Sequence, residues 1–372
     1  MRTIETFSIK FDNDNVVYEV GDVISGFVHL KLNDSIKCKA IYLRFRGKAS
    51  TEWLDDIAPI IRTGFSNITR CCNDKFVLEE RVNIWGKGKG GMLGTTDGKY
   101  LAVGEHRFPF RLRLPREELP CSFEGQYGFV RYFASCILQR HRAADITVRE
   151  GFTILGQPVD FKTMPEIQDQ MGREQQKRVS CCVGPSSHIV LTAGTNRHGY
   201  IPGDKIAIKV DLENNSDRRV TRVNAALLQE VKYEGKKVGS GKKCERSTVR
   251  IAKGLTSAGC RAHGRLTWTG KAITLPPVPP SELQGCPFID IRYFVQIQAF
   301  ISGAPSCLEI NFPVIVQTVP ASRLVQQGEG RLFLVDNVHS VRPTLPPYQE
   351  DDFNHMSLLP PPPAYDDVCS ET

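Results

Sequence analysis

Short apolar runs broken by turn residues set the rhythm of the first 160 residues. Phe7-Ser8-Ile9-Lys10-Phe11 alternates with the period of two that a half-buried strand requires. Val16-Val17-Tyr18 precedes a turn at Gly21-Asp22, and residues 23–32 follow as a long strand. Residues 40–47 alternate in part. Further strands are expected at 75–84, 104–114, 129–138 and 144–151. No window before residue 160 presents a helical face. Short strands at regular spacing predict an all-β chain built as a sandwich or barrel.

The pattern then recurs. Tyr18-Glu19-Val20-Gly21-Asp22 returns as Tyr200-Ile201-Pro202-Gly203-Asp204, and each leads into a strand that ends in a polar turn. Val130-Arg131-Tyr132-Phe133 returns as Ile291-Arg292-Tyr293-Phe294. The first match is offset by 182 residues and the second by 161. The surplus in the first copy fits the Gly-rich stretch 86–104, read as a long hairpin loop. Two copies predict two tandem β-sandwiches of similar topology, over residues 1–157 and 179–318. The polar stretch between them, 158–178, is expected as an exposed connection. Residues 319–372 form a tail. Gly21 and Gly203 suit a turn geometry closed to most residues, and Asp22 and Asp204 are placed to bond nearby backbone. Arg131 and Tyr132, like Arg292 and Tyr293, should face opposite sides of a strand.

The tail changes the picture most. It is proline-rich, lacks an apolar period and is expected to be disordered. It contains Pro362-Pro363-Ala364-Tyr365, a Pro-Pro-x-Tyr match, and a looser copy, Leu345-Pro346-Pro347-Tyr348. Proline fixes φ, so such runs sit close to polyproline II and dock in aromatic grooves of the WW type. Pro362, Pro363 and Tyr365 form the primary candidate ligand, and Leu345, Pro346 and Tyr348 the secondary one. The two tyrosines lie 17 residues apart, a root-mean-square span of about 21–25 Å for a flexible chain. That separation suits two neighbouring WW domains.

Charge divides the chain. Residues 341–372 carry a net −5, which leaves +12 on the preceding body. Residues 232–253 concentrate the excess, with Lys236, Lys237, Lys242, Lys243 and Arg246 as candidate contacts to an anionic lipid surface or an acidic cargo segment. The alternative is a solvated hairpin with basic flanks. Nucleic acid is not expected, because aromatics are sparse there and no binding module appears. The start has no apolar signal-peptide core, and no run approaches the ~18 apolar residues of a membrane span. A location in the cytosol or nucleus is therefore expected, and in it thiols rather than disulfides for the twelve cysteines. Their scatter argues against a zinc site and for buried structural thiols. Gly86-Lys87-Gly88-Lys89-Gly90-Gly91 fits a dinucleotide fingerprint only formally, since no helix follows. No catalytic signature occurs, and no cofactor or metal is expected.

Taken in order, several segments resemble the arrestin-domain-containing proteins, or α-arrestins. They are Tyr18–Asp22, Gly47-Lys48-Ala49 with Trp53, Gly104–Phe110, Leu119–Gly125, Val130-Arg131-Tyr132, Gly199–Asp204, Asn214-Asn215-Ser216 and Ile291-Arg292-Tyr293. The resemblance covers about residues 5–318. It implies two arrestin-like, immunoglobulin-like sandwiches; with no catalytic signature in the chain, enzymatic activity is not expected. It also implies an adaptor that joins membrane receptors or transporters to WW-domain HECT-type ubiquitin ligases and promotes their endocytosis and sorting. Location would be cytoplasmic, peripheral at plasma membrane and endosomes. One redox-active member of the family forms a mixed disulfide through a second-domain cysteine. The alternative reading is accordingly a thiol-dependent binder of a soluble protein such as thioredoxin; Cys244 and Cys260 lie in the broad region, without a local match to assign either.

Overall fold

The computed structural model describes residues 3–13, 16–56, 68–86, 99–116, 119–156, 169–179 and 187–317. The first half contributes β1 (Ile4–Phe11), β2 (Val17–Tyr18), β3 (Val23–Leu32), β4 (Ile36–Asp56), β5 (Ile68–Gly86), β6 (Lys99–Leu101), β7 (Gly104–Arg113), β8 (Phe123–Gly125), β9 (Gly128–Arg140) and β10 (Ile146–Ile154). The second contributes β11 (Met171–Val179), β12 (Ser187–Thr195), β13 (Gly199–Tyr200), β14 (Lys205–Asn214), β15 (Val220–Lys237), β16 (Lys243–Ala258), β17 (Arg265–Thr274), β18 (Ile289–Ile301) and β19 (Leu308–Val316).

Each half is two layers. In the first, the sheet β1-β3-β7 faces β5-β4-β9-β10-β2; in the second, β11-β12-β14-β17 faces β16-β15-β18-β19-β13. Alternation drives this arrangement. In β3 every second residue is buried, so Ile24, Val28, Leu30 and Leu32 enter the core while their neighbours stay half-exposed. Phe11, Phe45, Phe110 and Phe152 meet between the layers of the first half at ring separations of 5.8–6.2 Å. Such tilted and edge-to-face pairs add to simple area burial.

The repeated sequence motifs form repeated hydrogen bonds. Gly21 and Gly203 adopt φ of 87° and 93°, the left-handed region that favours glycine. Asp22 accepts from the Glu19 amide at 2.7 Å and Asp204 from the Ile201 amide at 3.1 Å. The Gly21 amide donates to Pro115 and the Gly203 amide to Leu275. Tyr132 Oη donates to the Pro120 carbonyl at 2.5 Å, and Tyr293 Oη to the Pro279 carbonyl at 2.7 Å. Ser122 Oγ accepts from Ile154, and Ser281 Oγ from Val316. Both tyrosines are buried, while Arg131 and Arg292 face outward.

Two expectations are corrected. Met171–Val179, all but its last residue inside the stretch 158–178 read as an exposed connection, is strand β11, paired with β12 from Met171–Thr195 to Val179–Ser187. Its sequence is polar because it is a solvent-facing edge. Arg173 donates to the Asn311 carbonyl, Lys177 to Ser306, and Gln175 Oε1 accepts from the Glu309 amide. The cysteines are not all thiols, since Cys71 and Cys244 are joined in a disulfide. Proximity set by the fold brings together two residues separated by 173 positions. Elsewhere the thiol reading holds among the described residues. Cys38, Cys121, Cys136 and Cys286 are buried and unbonded, and burial pushes Cys38 up to about 11 and Cys121 and Cys136 up to about 12.

Candidate interaction surface

The hairpin of β15 and β16 carries the basic stretch. Its turn is closed by the Lys237 amide donating to Lys242 and the Gly241 amide donating to Lys237, both at 2.9 Å. The hairpin does not project into solvent as a separate arm. β15 runs past the end of β18 and pairs with β5 of the first half, Lys236 with Cys72 and Lys237 with Cys71. One twelve-stranded sheet therefore crosses both halves.

Side chains reinforce the crossing. Thr51 Oγ1 donates to the Glu234 carbonyl at 2.7 Å, and the Val238 amide to Arg70 at 2.9 Å. Tyr127 packs edge-on against both Trp53 and Tyr233. The Cys71–Cys244 bridge ties β5 to β16 covalently. Cys121, from the first half, feels the nearby Cys286 of the second, which adds to burial in raising its thiol.

The five candidate cations divide accordingly. Lys237 pairs with Asp55 at 2.7 Å. Lys243 pairs with Glu234 at 2.9 Å and Glu245 at 3.4 Å, and hydrogen bonds to these two hold its ammonium above the ordinary lysine range. Arg246 lies 4.5 Å over the Tyr127 ring and donates to the Leu54 carbonyl. Lys236 and Lys242 are exposed at the turn. The stretch is thus in part an internal fastening between halves. Sequence reading missed Trp53, Tyr127 and Tyr233 as junction residues, because packing across more than 100 positions leaves no local trace.

Beside the hairpin lies an open groove of about 370 Å³ whose lining includes Lys232, Glu234, Glu245, Glu282, Asp290 and Arg292. Its charges are mixed, and Arg292 is already paired with Asp290. No group of three or more potential metal ligands occurs among the described residues. Cys260 is a half-buried thiol, raised chiefly by burial. The candidate WW ligands, Leu345, Pro346 and Tyr348 with Pro362, Pro363 and Tyr365, lie outside the described residues, as does most of the Gly-rich loop.

Comparison with known families settles the architecture. Residues 7–161 match the arrestin (or S-antigen) N-terminal domain, and residues 185–321 match the arrestin C-terminal domain. The chain is an arrestin-domain protein. It is 28% identical over 321 residues to arrestin domain-containing protein 4 of Homo sapiens, a match covering 85% of this chain and 72% of that protein. It is 27% identical over 352 residues to arrestin domain-containing protein 1 of Mus musculus, covering 94% and 73% respectively. Both arrestin domains are all-β here, and the junction between them is the paired, cross-linked sheet just described. Among the described residues of this arrestin-domain protein, no helix is long and apolar enough to cross a membrane.

Proposed function

We propose that this arrestin-domain protein is a non-enzymatic adaptor linking membrane receptors or transporters to WW-domain HECT-type ubiquitin ligases. Ubiquitylation, endocytosis and endosomal sorting of the cargo would follow. The observation that carries the reading is a Pro-Pro-x-Tyr segment, Pro362–Tyr365, placed behind two arrestin domains in one chain. The tail supplies the ligase contact, with Leu345–Tyr348 as the weaker second grip, and the arrestin body faces the cargo at the plasma membrane and endosomes. Bivalent docking would raise affinity about 10²–10⁴-fold over a single site. Of the five candidate cations, Lys236 and Lys242 stand exposed at the turn, where they would meet an anionic surface. The test is pull-down of tandem WW domains by the full chain. Tyr365→Ala should lose most of the binding and Tyr348→Ala with Tyr365→Ala all of it; undiminished capture by the double variant would sink the proposal.

A second reading is supported by the Cys71–Cys244 bridge. A thiolate of a soluble partner such as thioredoxin would attack Cys244 or Cys71, forming a mixed disulfide and releasing the other cysteine as thiolate. That complex should vanish with reductant and with Cys244→Ser, and should be indifferent to Tyr365→Ala. Persistence after reduction would exclude it.

A further inference from the structure

β16 is a long strand with one side unused. It pairs with β15 from Arg222–Ala258 to Lys236–Lys243, and among the described residues no strand lies along its other edge. A free edge presents a row of unpaired backbone donors and acceptors, which natural sheets usually blunt by shortening the strand or placing proline in it. β16 uses neither, with 16 residues and no proline, although it carries four cations and bulges at Ala252, opposite Leu227 and Leu228. Its solvent face carries Val249 and Ile251, exposed to 62% and 70%. These β-branched side chains favour a neighbouring strand and are costly to leave in water.

The charge on the strand selects the neighbour. The strand carries Lys243, Arg246, Arg250 and Lys253 against a single acidic residue, Glu245; Lys243, Arg246 and Arg250 also contact Glu234, Tyr127 and Gln229, so their charge stays on the strand while their side chains are held in place. A second copy pairing edge to edge would set like charges opposite one another, which is unfavourable. We propose that the free edge of β16, centred on residues 247–253, takes up an extended acidic segment of a partner protein as an added strand. Backbone hydrogen bonds would supply the pairing, alternate apolar side chains would cover Val249 and Ile251, and the intervening carboxylates would meet Lys253 and its basic neighbours. The inference names the chemistry of the cargo segment and rests on the adaptor reading.

The probe is a synthetic twelve-residue peptide alternating Glu and Asp with Val and Thr. Its binding to the purified full chain is followed by fluorescence anisotropy and by amide hydrogen exchange. Binding should protect residues 247–253 and weaken with added salt. Val249→Asp with Ile251→Asp, both at exposed positions, should weaken it about tenfold or more. N-methylation of the peptide's alternate amides on one edge should abolish binding, and methylation on the other edge should leave it intact. Equal loss from both methylated peptides, equal binding of a Lys-substituted peptide, or no protection of β16 would overturn the proposal. Concentration-dependent protection of β16 without peptide would assign the edge to a second copy. Protection lost on truncation after Gln317 would assign it to the chain's own tail; either result overturns the proposal. None of these readouts involves a WW domain, so failure here leaves the ligase reading standing, and failure of the pull-down leaves this one.

Discussion

Tyr293→Phe should destabilise the protein more than Tyr132→Phe, although the two tyrosines occupy matching places in the repeat. Each substitution removes one hydroxyl and little volume. In the first half the loss is a single bond, Tyr132 Oη to the Pro120 carbonyl at 2.5 Å, in a site where the ring is 2% exposed. An acceptor left unpaired in such a site costs about 1–3 kcal/mol. In the second half the hydroxyl has two partners: it donates to Pro279 at 2.7 Å and accepts from Gln229 Nε2 at 2.6 Å. Gln229 is itself 2% exposed and held from its other end by Arg250, so it cannot turn to water. Two orphaned groups imply roughly 2–6 kcal/mol. Urea unfolding followed by tryptophan fluorescence measures both, since Trp53 and Trp85 report the first half and Trp268 the second. A Tyr293→Phe loss no greater than that of Tyr132→Phe, or losses below about 0.5 kcal/mol for both, would refute the claim that these bonds fasten the corners.

Gly47→Ala should cost more than 2 kcal/mol or so, because an added Cβ would stand 2.3 Å from the Tyr132 ring; a lowered thermal midpoint checks it. Burial raises the Cys38, Cys121 and Cys136 thiols to about 11, 12 and 12. Their protonated forms therefore add stability that is complete below the unfolded thiol range near pH 9 and is lost as pH climbs toward 12. The urea midpoint should fall across that window, and a thiol reagent at pH 8 should modify these three only after unfolding. Cys244→Ser should lower stability by up to ~5 kcal/mol, the chain-entropy value for a loop of this length, and reductant should reproduce the shift in the parent but not in the variant.

How much of this was legible depended on how local each feature is. β3 and the Tyr-x-x-Gly-Asp turns could be read because alternation and turn chemistry act over a few residues. β4 and β5 proved far longer than their apolar cores, at 21 and 19 residues. Their outer parts, such as Asn73-Asp74-Lys75, are polar and lack an apolar alternation, held by the backbone ladder and by ion pairs such as Lys48–Asp74. β11 was hidden because its residues are polar and its side chains bond to Ser306, Glu309 and Asn311, far away in the chain. The basic stretch was visible as charge, but not its destination. Nothing near Lys237 announces Asp55, and nothing near Cys244 announces Cys71.

The join between the halves has a direction. β5 and β16 hold matching places, each next to the strand, β4 or β15, that pairs with the central β9 or β18. The contact uses the start of β5 from one module and the tip of β15 from the other. Such a head-to-tail contact is not self-complementary, and repeated it gives a ring or a filament according to its rotation. A third module of this kind could dock the tip of its own strand matching β15 on the start of β16 by the same rule. With two modules the series stops after one step and leaves a particle with unlike poles, so that a partner meeting one end finds a surface the other end does not repeat.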